Sequence, residues 1–272
     1  SCVSSLVRSA ALGVPWSTAP QAGRAEFDDL PLPDSVPAAW FGISVALGDS
    51  SAVVGASGEA TCGPNGGAVY VYKREPRPKL DEWTGVARLV PRPCREGAFF
   101  GGQVALSEGR IFVGASSGQT RLQTGTNAAY VFARTEAGEW RQTERFVSDP
   151  ERSDGAFAAD IDLDGDRAVV TASGRLDGQT NGAVYVYDYD RSAEQWRRSA
   201  RLTVDREEGE GILGYSVALH GDHLAVSAST YFDRAPGAVY LFHRRAGSET
   251  WQQSARLGGI ESFFIELDLH RS

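Results

Sequence analysis

Methionine is absent from this 272-residue chain, lysine occurs only at positions 73 and 79, and there are just 3 cysteines and 4 histidines. A chain with no initiator Met is expected to have been processed or read from an internal start, which leaves room for a removed export signal. The cations are almost all Arg and are spread along the chain, against a formal net charge of -8. Binding phosphates requires a concentrated basic surface that releases counterions, so a nucleic-acid partner is excluded. No apolar run approaches the roughly 20 residues of a membrane-spanning helix. The chain is therefore expected to be soluble, or tethered only at an end. The four His show no ligand spacing with Cys or Glu, and neither a nucleophile elbow nor a phosphate loop is present, which leaves catalysis little to rest on.

What the chain has is glycine, 31 residues of it, with 10% aromatic and 42% hydrophobic content. Such a composition suits many short strands joined by tight turns around a buried core. It also repeats. Val45-Ala46-Leu47, Val104-Ala105-Leu106, Ile161-Asp162-Leu163, Val217-Ala218-Leu219 and Leu267-Asp268-Leu269 follow one another at spacings of 59, 57, 56 and 50 residues. A second landmark recurs in phase at Gly67–Tyr72, Ala128–Phe132, Gly182–Tyr187 and Gly237–Phe242. The third is a Trp five residues before an Arg: Trp83 and Arg88, Trp140 and Arg145, Trp196 and Arg201, Trp251 and Arg256. Three landmarks in one phase indicate a repeat architecture folded as one domain. The units fall at 41–98, 99–154, 155–210 and 211–260, with end segments 1–40 and 261–272.

Each unit reads as four strands, here called a to d. In the first, strand a is Ile43–Leu47, followed by a Gly48-Asp49 turn expected to need positive φ, like Gly221-Asp222 in the fourth. Strand b is Ala52–Ala56. Strand c, Ala68–Tyr72, sets Tyr70 and Tyr72 on one face and Val69 and Val71 on the other, so both faces are apolar, as in a sheet packed between neighbours. Strand d runs from near Trp83 to Leu89.

Four antiparallel strands per unit with this period describe an all-β propeller better than a sandwich. Residues 1–40 are broken by Pro15, Pro20, Pro31, Pro33 and Pro37. Even so, Ser4–Ala10 can be laid on Ser50–Ala56, Leu30-Pro31-Leu32 on the Arg88-Leu89 position, and Leu267–Ser272 stops at the matching turn. Five blades are therefore favoured, the last shared by both chain ends; the alternatives are four blades with decorated ends or a fragment of a seven-bladed ring.

The phrases FGISVALGDSSAVVGASG, FFGGQVALSEGRIFVGASSG and LGYSVALHGDHLAVSAST resemble the FG-GAP repeat of integrin alpha-chain propellers and of many bacterial surface proteins, over about residues 40 to 260. Phe41-Gly42, Phe100-Gly101 and Leu213-Gly214 fill the FG position, and Phe157-Ala158 loses the glycine. The GAP position reads Gly55-Ala56-Ser57, Gly114-Ala115-Ser116, Thr171-Ala172-Ser173 and Ser227-Ala228-Ser229, without its proline. The resemblance implies calcium in the loop after strand a, in a D-x-[DN]-x-D-G pattern. Only Asp160-Ile161-Asp162-Leu163-Asp164-Gly165 is similar to it, and the alternating carboxylates Asp160, Asp162 and Asp164 would offer hard oxygen ligands to Ca²⁺. Ala168 stands where the pattern's later acid belongs. The plainer reading is a Gly165-Asp166 turn, with the carboxylates lining a solvated channel and no cofactor.

In such a blade the b–c loops and the d-to-next-a connections emerge on one face. The b–c loops, at 57–66, 116–127, 173–181 and 229–236, are the long ones and suit a binding surface on a rigid scaffold. Asn65, Gln119, Thr124, Asn127, Asp177, Asn181, Tyr231 and Asp233 are its candidate contact residues. Cys62 lies in a b–c loop and Cys94 in the following connection, on the same face, so a disulfide is the natural inference for an exported chain. Cys2 is then the odd one: a lipid-modified terminus, an intermolecular bridge or an unpaired end. The in-phase Trp residues either close the outer strand against the neighbouring blade or stack on sugars. The in-phase Arg residues are expected to guard the outer edge strand. The function expected is that of an extracytoplasmic, non-catalytic module binding another protein through its loop face. A carbohydrate-binding propeller is the first alternative, and a propeller hydrolase or lyase the second.

Overall fold

The structure, a computed structural model, describes residues 40–76, 82–116, 127–149, 154–173, 181–205, 212–229, 237–245, 248, 250–260 and 267. The fold is a β-propeller of four-stranded antiparallel blades, four of which lie within these residues. The first blade is β1 Phe41–Leu47, β2 Ser51–Ala56, β3 Ala68–Glu75 and β4 Glu82–Leu89; the second is β5 Phe100–Ser107, β6 Arg110–Ala115, β7 Ala128–Arg134 and β8 Trp140–Val147. The third is β9 Ala156–Asp164, β10 Arg167–Ser173, β11 Ala183–Asp190 and β12 Gln195–Leu202; the fourth is β13 Ile212–His220, β14 His223–Ser229, β15 Gly237–Arg244 and β16 Trp251–Ile260. In every blade the strands pair in sequence order, and the innermost strands β1, β5, β9 and β13 pack side by side.

The two apolar faces of the third strands do different jobs. Val69 and Val71 of β3 point forward into a cluster with Phe100 and Val104 of the second blade, whose Tyr130 and Phe132 point back into the same cluster. Tyr185 and Tyr187 of β11 point back at Phe112 and Val131, while Val184 and Val186 point forward at Leu213, Val217 and Tyr240. Rings backward and branched aliphatics forward thus fill each gap between blades, and alternation along a strand is what allows one strand to serve two gaps. Each fully buried ring contributes on the order of 2–3 kcal/mol.

Each innermost strand is two residues longer than the alternation suggests, because it carries a bulge at the Phe-Gly step. The register breaks between Phe41 and Val45, between Phe100 and Gln103, and between Leu213 and Val217. Gly42, Gly101 and Gly214 sit there at φ of 86°, 89° and 91°. Ala158 is forced into the same left-handed backbone at φ 59°, so the third blade keeps the bulge without the glycine. At Gly101 the blades also meet closely, since a Cβ there would fall 2.6 Å from the Ala68 carbonyl oxygen.

Two-residue turns with positive φ join the first two strands of the later blades, at Glu108-Gly109 and at Gly165 and Gly221. The first blade departs from expectation. Gly48 lacks positive φ, and its N–H donates to the Ser51 carbonyl (2.8 Å) across a three-residue loop. The small residue is explained by crowding instead: a Cβ on Gly48 would lie 3.2 Å from Leu106 of the next blade.

Candidate functional site

The loop between β2 and β3 is the part of the expected binding face that lies wholly within the described residues. Cys62 and Cys94 form a disulfide, tying this loop to the connection that leads into β5. Backbone bonds reinforce the tie: Gly97 N–H donates to Pro64 O (2.9 Å), Phe99 N–H to Asn65 O (2.8 Å) and Phe100 N–H to Gly66 O (3.2 Å). Asn65 itself adopts φ 54°. Beside it Trp40, more than half exposed, stacks on Phe99 with centroids 6.0 Å apart. Asn127 and Asn181 lie at the entrances to β7 and β11, and both are engaged within the protein. Gln119, Thr124, Asp177, Tyr231, Asp233 and Cys2 lie outside the described residues.

Under this face each blade carries a clasp that sequence reading did not find. The Tyr of the third strand pairs across the ladder with the Arg of the fourth: Tyr70 with Arg88, Tyr130 with Arg145, Tyr185 with Arg201 and Tyr240 with Arg256. In the first blade the Tyr70 hydroxyl donates to Glu59 (2.6 Å), and Arg88 donates to both Tyr70 and Glu59. In the third, Tyr185 and Arg201 both donate to buried Asp154. The hydrogen bond to Asp154 holds the Arg201 guanidinium above its ordinary range, while burial above all, with help from Asp154, pushes the Tyr185 hydroxyl up. In the first three blades the repeated Arg is therefore a framework donor. Its five-residue spacing from Trp was a usable signal once the strand c to strand d register was known.

The Asp160, Asp162 and Asp164 series sits where β9 meets β13. One oxygen of each accepts a backbone N–H from the next blade: Val217 to Asp160 (2.8 Å), Leu219 to Asp162 (2.6 Å) and Gly221 to Asp164 (2.7 Å). The second oxygens of Asp160 and Asp162 cap the N–H of Ile161 and Leu163. Alternate residues of a strand share a face, so three carboxylates two apart engage three amides two apart. The series is a clasp between blades. Desolvation at this joint pushes Asp160 up to about 7, outweighing its hydrogen bonds from Val217, Ile161 and Ser216. Asp164 also lies 3.6 Å from His220 Nδ1. Among the described residues no three His, Cys, Asp or Glu side chains are grouped to hold a metal.

The bulged Phe-Gly steps, each opening an innermost strand and followed by a small-residue second strand, are the recurring signature, and the FG-GAP repeat family model matches residues 30–72 and 140–187. These two segments are FG-GAP repeats. No curated protein matches its sequence. Among solved structures it is similar to Sqt1 of Saccharomyces cerevisiae, at 9% identity and a TM-score of 0.47, covering 80% of this chain and 48% of that one. It is similar also to a putative 6-phosphogluconolactonase from Bacteroides uniformis, at 11% identity and 0.40, covering 79% and 71%, and to the NanB sialidase of Streptococcus pneumoniae, at 12% and 0.38, covering 79% and 30%. The chain thus spans less than half the length of Sqt1.

Trp140, Trp196 and Trp251 pack against neighbouring residues of the blades. Trp196 is buried, meets Phe112 of the preceding blade edge-on at 4.8 Å, and donates its backbone N–H to Glu144 (2.9 Å). Trp251 is buried beneath Arg167 of the preceding blade, and Trp140 packs on the cluster it shares with the first. The indoles of Trp196 and Trp251 are thus covered by protein, and Trp140 is half-buried.

Proposed function

We propose that this FG-GAP propeller is a non-catalytic recognition module that works outside the cytoplasm and binds a protein partner through the face carrying the second-to-third-strand loops. The observation that carries the reading is the preorganised loop 57–67, fixed by a disulfide, three cross-connection backbone bonds and the Glu59–Arg88 pair. A loop held rigid before binding loses little entropy when it docks, which is how a scaffold turns exposed loops into an affinity surface. The disulfide supports an oxidising compartment. Glu59, Asp154 and Asp160 spend their oxygens on framework Tyr, Arg and backbone donors, an arrangement that favours a scaffold over a reaction centre.

A carbohydrate ligand is the second reading, and the exposed Trp40 stacked on Phe99 favours it over the buried tryptophans. A photo-crosslinking residue at Asn65, compared with one at Asp49 on the opposite face, separates the possibilities when the protein is presented with surface extracts of its source cells. A discrete protein adduct from position 65 alone is the expected result. Equal capture from both faces, or saccharide binding abolished by Trp40→Ala with no protein adduct, would overturn it.

A further inference from the structure

Left-handed backbone gathers at one spot on the loop face. Among the described residues other than glycine, Glu108 and Glu194 take positive φ in hairpin turns and Ala158 in a bulge, whereas Trp40, Phe99 and Asn65 take it side by side, at 51°, 51° and 54°. Phe99 stacks on Trp40 with the rings inclined by 17°, and it donates its N–H to Asn65 O (2.8 Å). Trp40 and Phe99 each precede the Phe-Gly step of their blade. In the third and fourth blades that place belongs to Ala156 and Ile212, which are buried and not left-handed. A bulky side chain on left-handed backbone is costly and persists where its surroundings over-determine it, as in ligand clamps. Here the outcome is an indole fixed in the open, 55% exposed.

The connection that leads to Phe99 brings charge to the same spot. Arg95 follows Cys94 of the disulfide. Arg92 lies further out, where Gln142 of β8 holds its backbone from both sides: the Arg92 N–H donates to Gln142 Oε1 (2.7 Å), and Gln142 Nε2 donates to Arg92 O (2.9 Å). Both Arg side chains are exposed, and neither guanidinium pairs with an acid among the described residues, whereas Arg88, Arg110, Arg167, Arg201 and Arg244 all do. Glu96 is the acid of this connection and lies against Gly63, where a Cβ would fall 2.9 Å from the Glu96 Cβ. Two free cations and one acid stand out on a chain of net charge -8.

We propose that Trp40, Phe99, Arg95 and Arg92 form the anchor of the loop face and take an extended, acidic segment of the partner protein, with an apolar side chain on the Trp40 indole and carboxylates on the two guanidiniums. The inference rests on the protein-partner reading above and gives that partner its chemistry. Rigidly held Trp and Arg residues dominate the energetics of protein interfaces, and a guanidinium fork matches a carboxylate. Two unpaired guanidiniums close to the indole repel a cationic side chain that would otherwise suit an aromatic face. From an innermost strand to an outermost one is three strand spacings, roughly 14 Å, which about four or five extended residues span.

The test starts from a phage-displayed library of random short peptides panned on the full chain with its disulfide intact; recovered peptides are made with a fluorescein label and titrated by anisotropy. The expected peptides carry Asp or Glu close to an aromatic or aliphatic residue. Arg92→Glu with Arg95→Glu should weaken them at least about tenfold, since like charges then face each other. These side chains hold nothing in the fold, so the thermal midpoint should not move, and peptides with Lys in place of their acids should recover binding to the reversed variant. Trp40→Ala should weaken the original peptides as well, and Asp49→Arg on the opposite face should not. Failure to enrich any peptide, enriched peptides without acids, or affinity unmoved by the charge reversal would overturn the proposal. The crosslinker at Asn65 separates the two readings. An adduct that survives Arg92→Glu with Arg95→Glu leaves the protein-partner reading standing and removes this one, loss of the adduct in that variant supports both, and no adduct from the parent chain removes both.

Discussion

Asp162→Ala isolates the clasp between the third and fourth blades. Alanine already stands at the equivalent positions Ala46, Ala105 and Ala218, so the backbone accepts it and the effect reports the lost carboxylate alone. At least two hydrogen bonds disappear. The Leu163 N–H is a local donor on the same strand, whereas the Leu219 N–H belongs to a buried residue of the neighbouring blade and loses its acceptor. An unsatisfied buried donor costs about 1–3 kcal/mol, and a bond to a charged acceptor lies toward the upper part of that range, so the expected loss is about 2 kcal/mol. In a chain of this size that lowers the thermal midpoint by roughly 4–8 °C. Thermal unfolding followed by circular dichroism at pH 7.5 gives the midpoint, and hydrogen exchange at Leu219 reports the joint directly. A fall under about 1 °C with Leu219 still protected would refute the idea that carboxylates hold these blades together.

Asp160 predicts a pH dependence of opposite sense to that of most carboxylates. Its pKa is raised from 3.8 to about 7, so the protonated form is favoured in the fold: the stability it contributes is complete below pH 3.8 and is lost as pH rises through about 7. The gap of about three units amounts to at most about 4 kcal/mol, so Asp160→Asn should gain on the wild type by up to that amount between pH 4 and 8, and parallel urea-stability profiles would count against it. Ala158→Gly relieves a left-handed alanine and should stabilise by about 1 kcal/mol; Gly101→Ala, which drives a Cβ into the Ala68 carbonyl, should cost on the order of 3 kcal/mol or more, and equal effects at the two sites in denaturant titrations would refute the bulge argument. Asp154→Ala strips the acceptor from Tyr185 and Arg201 and should cost about 3–5 kcal/mol, measured against a much smaller loss for Tyr185→Phe. Opening the Cys62–Cys94 disulfide by a double Ser substitution releases a loop with sequence separation 32 and should cost about 2–4 kcal/mol; an unchanged midpoint would mean that the backbone bonds alone fix the loop.

By itself the sequence determined the blades. Landmarks in one phase located four strands per unit, the alternation of Tyr and Val on β3 announced two packed faces, and the placement of Cys62 and Cys94 on one face announced their disulfide. All of these depend on spacing within one unit, where strand geometry alone decides which side a residue takes. Tertiary structure decided what the polar groups do. The oxygens of the Asp160–Gly165 segment meet amides 57 residues away, and Arg88 and Arg145 reach a Tyr across the ladder. A carboxylate or guanidinium takes whichever partner the fold brings within about 3 Å. That partner is set by how one sheet sits against the next and by the register between two strands, neither of which is written in the local order of residues.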